Sequence, residues 1–256
     1  MRLHLFKIIK RMKKETLLNS NDVHHVLRAL PFCGTDALRP ILTGITFVND
    51  GQNCTIYACD AHRLYKVVLP TERASDPFTV VVHAKEIKQL VKNDLFHLQV
   101  DESGATLNGQ PINPIEGAPI NFEAVMPRDH YHIYDVHRAT FERLITGLAK
   151  LANQVTHQVT FTFDPSGTIT MQTSDIDYSH EFKGTMSGVH VSGDQPLTIA
   201  FNANLLAECV KSLKLSGKKD DYIRLKMSTP TRALTLAWDP NYRDQPTVLL
   251  YPLMIG

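Results

Sequence analysis

Residues 41–70, ILTGITFVNDGQNCTIYACDAHRLYKVVLP, decide the fold. Ile41, Thr43, Ile45 and Phe47 alternate with Leu42, Gly44 and Thr46, the period of a strand with one face on a core. Asn49-Asp50-Gly51 is a tight-turn signal, and two more strand-like runs follow at 55–58 and 65–68. Links this short make an antiparallel meander, because a parallel connection needs a long crossover. Between the second and third strands lies Asp60-Ala61-His62-Arg63, flanked by Cys59 and Leu64. An acid, an imidazole and a guanidinium in so short a run form either a hydrogen-bonded structural corner or one wall of a binding site.

A chain of 256 residues, 43% hydrophobic, can bury a sizeable core as one large domain or two smaller ones. With 27 basic and 26 acidic side chains, nucleic-acid binding must come from the placement of charge and not from its excess. The cysteines at 33, 54, 59 and 209 make no CxxC pair, which fits reduced thiols in a cytoplasmic protein. No run is apolar and long enough to span a bilayer, and no signal peptide is evident. The opening segment MRLHLFKIIKRMKK carries six cations and no acid, and is either a surface element with a solvated basic side or an arm that touches phosphate.

Outward from the meander, a helix is expected from Ser20, capped by Asn19 or Ser20 and stopped by Pro31, with Val23, Val26, Leu27 and Leu30 inward. A second is expected over 84–93, a third over 138–153, and a fourth from an Asn202 cap to about 215. Strands are expected at 78–82, 95–100, 105–108, 159–163 and 168–173, with alternating strands continuing through Phe182 and Ile199, and at 222–227, 233–238 and 247–251. Helix starts near 21, 84, 138 and 203 are 63 and 65 residues apart within each half, and the halves are offset by 117 and 119. This is an internal repeat. It implies an α+β fold of two tandem domains, each with antiparallel sheet outside and two helices on the inner face.

The helices share a second feature. Arg28, then Lys85, Lys88 and Lys92, then Arg143 and Lys150, then Lys211, Lys214 and Lys218 line the polar side of each in turn. Four cationic faces with no base-reading motif suit sequence-independent contact with phosphates. Residues 128–137, RDHYHIYDVH, read as a segment crossing between the units; His130, His132 and His137 lack a further ligand at a familiar spacing, so no metal is expected. Cys59, Asp60 and His62 lack the nucleophile elbow and oxyanion turn of a hydrolase, so the chain does not read as an enzyme, and no cofactor is expected.

The runs ILTGITF…ACDAHRL, VVVHAKEIKQLVKN, PINFEAVMP, IAFNANLLAECVKSLK and VLLYPLM, in this order, resemble the middle and last domains of the bacterial DNA polymerase III beta subunit, the sliding clamp. The resemblance runs from about residue 19 to the C-terminus and has no counterpart of that family's first domain. It implies a DNA-clamp domain at 19–128, a crossing segment at 129–137 and a second clamp domain at 138–256, after a basic extension at 1–18. It also implies a six-domain ring around duplex DNA, lined by helices, which two-domain chains would build as a homotrimer.

The same resemblance implies an apolar cleft that receives short peptides from DNA polymerase and clamp loader. Leu42, His62, Arg63, Leu64, Pro119, Val125, Leu249, Tyr251, Pro252, Leu253 and Met254 would line it. Departures from the family pattern are Ala61 in place of a usual glycine, Tyr251 where methionine is common, and a tail ending Met-Ile-Gly without a basic residue. The alternative is a clamp-fold DNA-binding or interaction protein that does not close a ring.

Overall fold

The structure, a computed structural model, describes residues 13–92, 94–118, 120–175, 180–214, 221–238 and 245–255. The first half contains β1 (Lys14–Leu17), α1 (Val23–Ala29), β2 (Gly44–Asn49), β3 (Asn53–Cys59), β4 (Arg63–Pro70), β5 (Phe78–His83), α2 (Ala84–Leu90), β6 (His97–Asp101), β7 (Gly104–Leu107) and β8 (Gln110–Ile112). The second contains β9 (His132–His137), α3 (Arg138–Leu151), β10 (Gln158–Phe163), β11 (Thr168–Asp175), β12 (His180–Ser187), β13 (Val189–Ser192), β14 (Leu197–Asn202), α4 (Ala203–Ser212), β15 (Tyr222–Met227), β16 (Leu234–Ala237) and β17 (Thr247–Leu250).

The meander forms as its alternation dictates, with every pairing antiparallel. Asp50 Oδ1 accepts from the N–H groups of Gln52 and Asn53, and Gly51 takes the positive φ of 106° that the turn requires. Ile45, Phe47, Ile56, Tyr65 and Val67 point to one face and are fully buried or nearly so. Each contributes about 1.5–3 kcal/mol of burial.

Sheet order makes the repeat visible. In the first half, β1-β6-β7-β8 and β5-β2-β3-β4 are the two sheets; in the second, β9-β15-β16-β17 and β14-β10-β11-β12 correspond to them. The halves are joined because β17 pairs with β4, fusing two of these sheets into one of nine strands, with β13 added at its far end. Helix starts at 23, 84, 138 and 203 keep the spacing within each half at 61 and 65 residues. The chain is therefore an α+β fold of tandem repeats. α3 lies against α4, α1 against β3 and β4, and α2 against β5 and β2. One continuous cluster of buried residues runs through both halves.

Several expectations need correction. Strand β2 starts at Gly44, not Ile41, because Pro40 opens a single 3-10 turn over Pro40–Thr43 that the Thr43 hydroxyl closes on the Pro40 carbonyl at 2.8 Å. Helix α1 starts at Val23, because Asn19 and Asp22 are held in a turn of their own by Asp22 N–H to Asn19 O at 2.9 Å. Val23 and Val26 are buried as expected, but His25 is buried with them and Leu27, expected inward, is 42% exposed. The 3-10 turn Leu30–Phe32 then carries the chain through Pro31 instead of ending there. Helix α2 stops at Leu90, where Val91 turns extended, and α4 stops at Ser212. Expected helix residues 93 and 215 lie outside the described ones.

The segment read as a crossing ends in β9, a strand inside the large sheet. Strands β1, β8 and β13 were not expected. β1 falls in the stretch read as a basic extension, of which residues 1–12 lie outside the described ones; it pairs with β6 and is tied to β2 by Asn49 Nδ2, which donates to Glu15 O and Thr16 Oγ1. Asn202 caps α4 as expected, its side chain accepting from Leu205 N–H at 3.1 Å. No helix among the described residues is long and apolar enough to cross a membrane.

His25 is 4% exposed, with Nδ1 3.1 Å from the Tyr65 hydroxyl. Burial first, then the adjacent His24 and Arg28, lower its pKa to about 3. The fold therefore holds the neutral imidazole. The stability this confers is complete above the unfolded value of about 6.5 and is lost as pH falls toward 3, on the order of 4 kcal/mol across that window. Urea unfolding of His25→Gln should show a correspondingly shallower loss of stability between pH 6.5 and 3.5 than the wild type; equal slopes would reject the assignment.

Candidate functional site

Both candidate surfaces descend from the β17–β4 joint and the helix faces. At the corner before β4, Asp60 Oδ1 accepts from the N–H groups of His62 and Arg63 at 3.0 and 2.9 Å, and Oδ2 accepts from Arg63 Nε at 2.8 Å. The Arg63 guanidinium also donates to Glu208 of α4 and to the Pro31 carbonyl, and it lies 5.0 Å above the Phe32 ring. Asp60 and Arg63 therefore make the structural corner of the two options the sequence leaves open. Arg63, expected to line a cleft, is 6% exposed and fully engaged, so it supports the wall from behind. His62 beside it is exposed.

Ala61 turns this corner at φ 73°, a conformation in which its Cβ is crowded and glycine is not. The corner is held by the hydrogen bonds of Asp60 in spite of that cost.

The joint gathers residues from opposite ends of the chain. Leu249 pairs with Leu64 and Leu250 with Arg63; Tyr251 N–H then donates to His62 O at 2.9 Å, and Leu253 N–H to Ala200 O at 2.8 Å. Leu64 and Leu249 are buried, in a satellite cluster with Tyr57, Phe122 and Ala233, against which Met126 packs. Phe122 was missing from the expected site. It opens the 3-10 turn Phe122–Val125, stacks on Tyr57 at 4.8 Å between centroids, and roofs the sheet there. Glu123 fixes the roof by accepting from Lys66 Nζ at 2.6 Å and from the Tyr57 hydroxyl at 2.5 Å. Those two donors, Lys66 first, hold its carboxyl below the usual range. Nothing in the spacing of PINFEAVMP signals that its aromatic folds back on the sheet.

Of the other residues expected at the cleft, Val125, Tyr251 and Met254 are exposed, as is Ile255 beside them, and Leu42, Pro252 and Leu253 are half-buried. Gly34 separates Leu42 from Asp60, its N–H donating to Leu42 O at 2.7 Å. Pro119 lies outside the described residues. The result is an apolar rim, contributed by the tail and by the turn over 122–125, on a buried apolar floor. Such a surface can hold an apolar segment.

On the helices, Lys85, Lys88, Arg143, Lys150 and Lys211 are exposed, as are Lys92 and Lys214 just past the helix ends. None of these seven forms an ion pair among the described residues. Arg28 differs: it is half-buried, its Nη1 is shielded, and burial lowers its pKa. Lys218 lies outside the described residues.

His137 caps α3, its Nδ1 accepting from Thr140 N–H at 3.3 Å, and His132 is buried within β9. The described residues hold no group of three or more His, Cys, Asp or Glu arranged for a metal ion. Burial raises the Cys33, Cys54 and Cys209 thiols to about 12 and pushes Cys59 up as well. These are protonated, poorly nucleophilic groups.

Comparison places this architecture among the sliding clamps. The chain superimposes with TM-score 0.82 on the sliding clamp (DNA polymerase III subunit beta) of Pseudomonas aeruginosa bound to griselimycin, at 16% identity over 95% of this chain and 66% of that one. The sliding clamp of Bacillus subtilis matches with TM-score 0.82 at 17% identity, covering 99% of this chain and 67% of that one. In sequence, the beta sliding clamp of Synechocystis sp. is 27% identical over 230 residues. That match takes in 78% of this chain, which spans a little over half (57%) of the cyanobacterial protein's length. No protein-family model matches the chain. The fold is thus that of a sliding clamp, and the resemblance to the bacterial DNA polymerase III beta subunit holds in sequence and in structure.

Ala61→Gly should stabilise the protein by about 1 kcal/mol, the relief of the left-handed conformation exceeding the added freedom of the unfolded chain. A raised midpoint in urea at unchanged slope would bear this out; a lowered one would show that Ala61 is not strained.

Proposed function

We propose that the protein is a sliding clamp, a non-enzymatic processivity factor that encircles duplex DNA in the cytoplasm and tethers a DNA polymerase and other partners. The clamp domains are residues 19–128 and 138–256, and three chains close a six-domain ring. The observation that carries this reading is the set of exposed cations, without an ion pair among the described residues, on or beside α2, α3 and α4 in a fold whose sheets form the other layer. A protein of net charge +1 that concentrates free lysines on helix faces has built a surface for a polyanion. Contact with phosphates alone carries no sequence information, which suits a ring that must slide.

Partners dock at the apolar rim around His62, Leu42, Val125, Tyr251, Pro252, Leu253 and Met254. A peptide with apolar anchors would cover the exposed tail and the mouth above Leu64 and Leu249.

Retention on DNA tests the first part. Topological linkage predicts that the loaded protein stays on closed circles and is lost when they are cut; equal behaviour on both would favour a clamp-fold protein that binds without encircling. Converting Lys88, Lys92, Lys211 and Lys214 to Glu should abolish retention with the fold intact, and retention at the wild-type level would sink the pore assignment. For the second part, a chain ending at Pro252 should lose at least about ten-fold in affinity for a clamp-binding peptide. Its melting point should barely move, since the lost segment makes one main-chain bond to Ala200. Undiminished peptide affinity would reject the cleft.

A further inference from the structure

Beyond the apolar rim, the sheet of β10, β11, β12 and β14 opens into a cavity. Strands β10 and β11 pair from Phe163 and Ile169 only as far as Thr160 and Gln172. Both run on past that point, and the same register would bring Gln158 opposite Ser174. Instead the strands part, tied across the gap by Thr173 Oγ1, which donates to the Gln158 carbonyl at 2.7 Å. The opening measures about 460 Å³, the size of a ligand pocket, and the turn after α3 closes it with Asn153 and Thr156.

Every side chain that lines the cavity ends in an amide or a hydroxyl. Those of Gln158, Thr160 and Ser174 make no hydrogen bond among the described residues. Such a lining suits a neutral ligand that both donates and accepts. A charged group would lose hydration there with no counter-charge to replace it.

The cavity is also in register with the C-terminal tail. Leu253 bridges to Ala200, Ala200 pairs with Thr160, and Thr160 with Gln172. Residues directly opposite in antiparallel pairs share a face, so these four side chains stand on one side of the sheet. It is the outward side: Thr198, two positions from Ala200, is exposed with its hydroxyl 3.1 Å from that of Thr162, whereas Ile199 and Phe201 join the core. Ala200 is nevertheless fully buried there, beside the tail. At about 4.8 Å per strand, Thr160 lies roughly 10 Å and Gln172 roughly 14 Å from Leu253, a span of about three to four residues of extended chain.

Resting on the clamp reading and its apolar rim, we infer that the cavity between β10 and β11 is a second seat for the same partner peptides, taking the uncharged Ser, Thr, Asn or Gln residues that flank their apolar anchors. The rim supplies affinity whatever the flank; the cavity selects a neutral polar flank over a charged one.

Calorimetric titration of the full chain tests this with the clamp-binding peptide either bare or extended, at one end or the other, by Ser-Gln-Thr-Asn, by an all-Ala segment or by an all-Glu segment of the same length. At one end the polar extension should tighten binding at least about five-fold over the all-Ala one, the yield of a hydrogen bond or two, and the all-Glu extension should not. Gln158→Ala and Ser174→Ala should each reduce that gain, measured against the same variant's affinity for the bare peptide. The two substitutions sit on different strands, so a lowered melting point in one leaves the other to decide. A polar extension that gains nothing over all-Ala at both ends, or whose gain survives both substitutions, overturns the inference and leaves the cleft standing. An equal gain from all-Glu does the same. A bare peptide that does not bind overturns the cleft and the second seat together.

Discussion

Pairing of β17 with β4 is the constraint on which the molecule depends. It turns two repeats into one sheet, brings the last strand beside the first meander, and thereby sets the C-terminal tail next to the CDAHRL corner. A main-chain ladder alone would leave the helical layers free to shift against each other. Arg63 prevents this by reaching from β4 to Pro31 at the end of α1 and to Glu208 on α4. A guanidinium suits the task, since its fork satisfies several acceptors at once and its face can lie on Phe32. Removing one partner of so buried a group leaves the others uncompensated, which is why such corners tolerate few replacements.

Much of this was legible in the sequence, for reasons that differ by element. The meander announced itself through alternation and an Asn-Asp-Gly turn, the fourth helix through its Asn202 cap, and the repeat through the spacing of helix starts. What stayed hidden was decided by tertiary contact. Strands β1, β8 and β13 run for four, three and four residues, too short for a period to register. Leu27 was misread because the edge of the apolar stripe is set by what packs there: His25 turns inward with its Nδ1 on the Tyr65 hydroxyl, and Leu27 is left at the margin.

For the candidate cleft, the sequence named residues that the fold does bring near one another, His62, Leu64, Leu249 and Tyr251 among them. It could not say which would be floor, rim or support. An arginine in a polar corner reads as exposed, and only its acceptors on distant elements reveal that it is not. Phe122 escaped notice for the opposite reason: an aromatic in a proline-rich passage has no partner in sequence, and Tyr57 is sixty-five positions away.

The outer edge of β8 bears on symmetry. Strands pair by exchanging donors and acceptors, so an edge that accepts without donating finds no complement in its own copy. Residue 111 of β8 turns its backbone away from β7 and, as a proline, has no N–H; in an antiparallel pair each carbonyl faces the partner's N–H position, so two chains set face to face through β8 would aim the residue-111 carbonyls at nitrogens that cannot donate. Pro111 thus disfavours a symmetric extension of the sheet through β8.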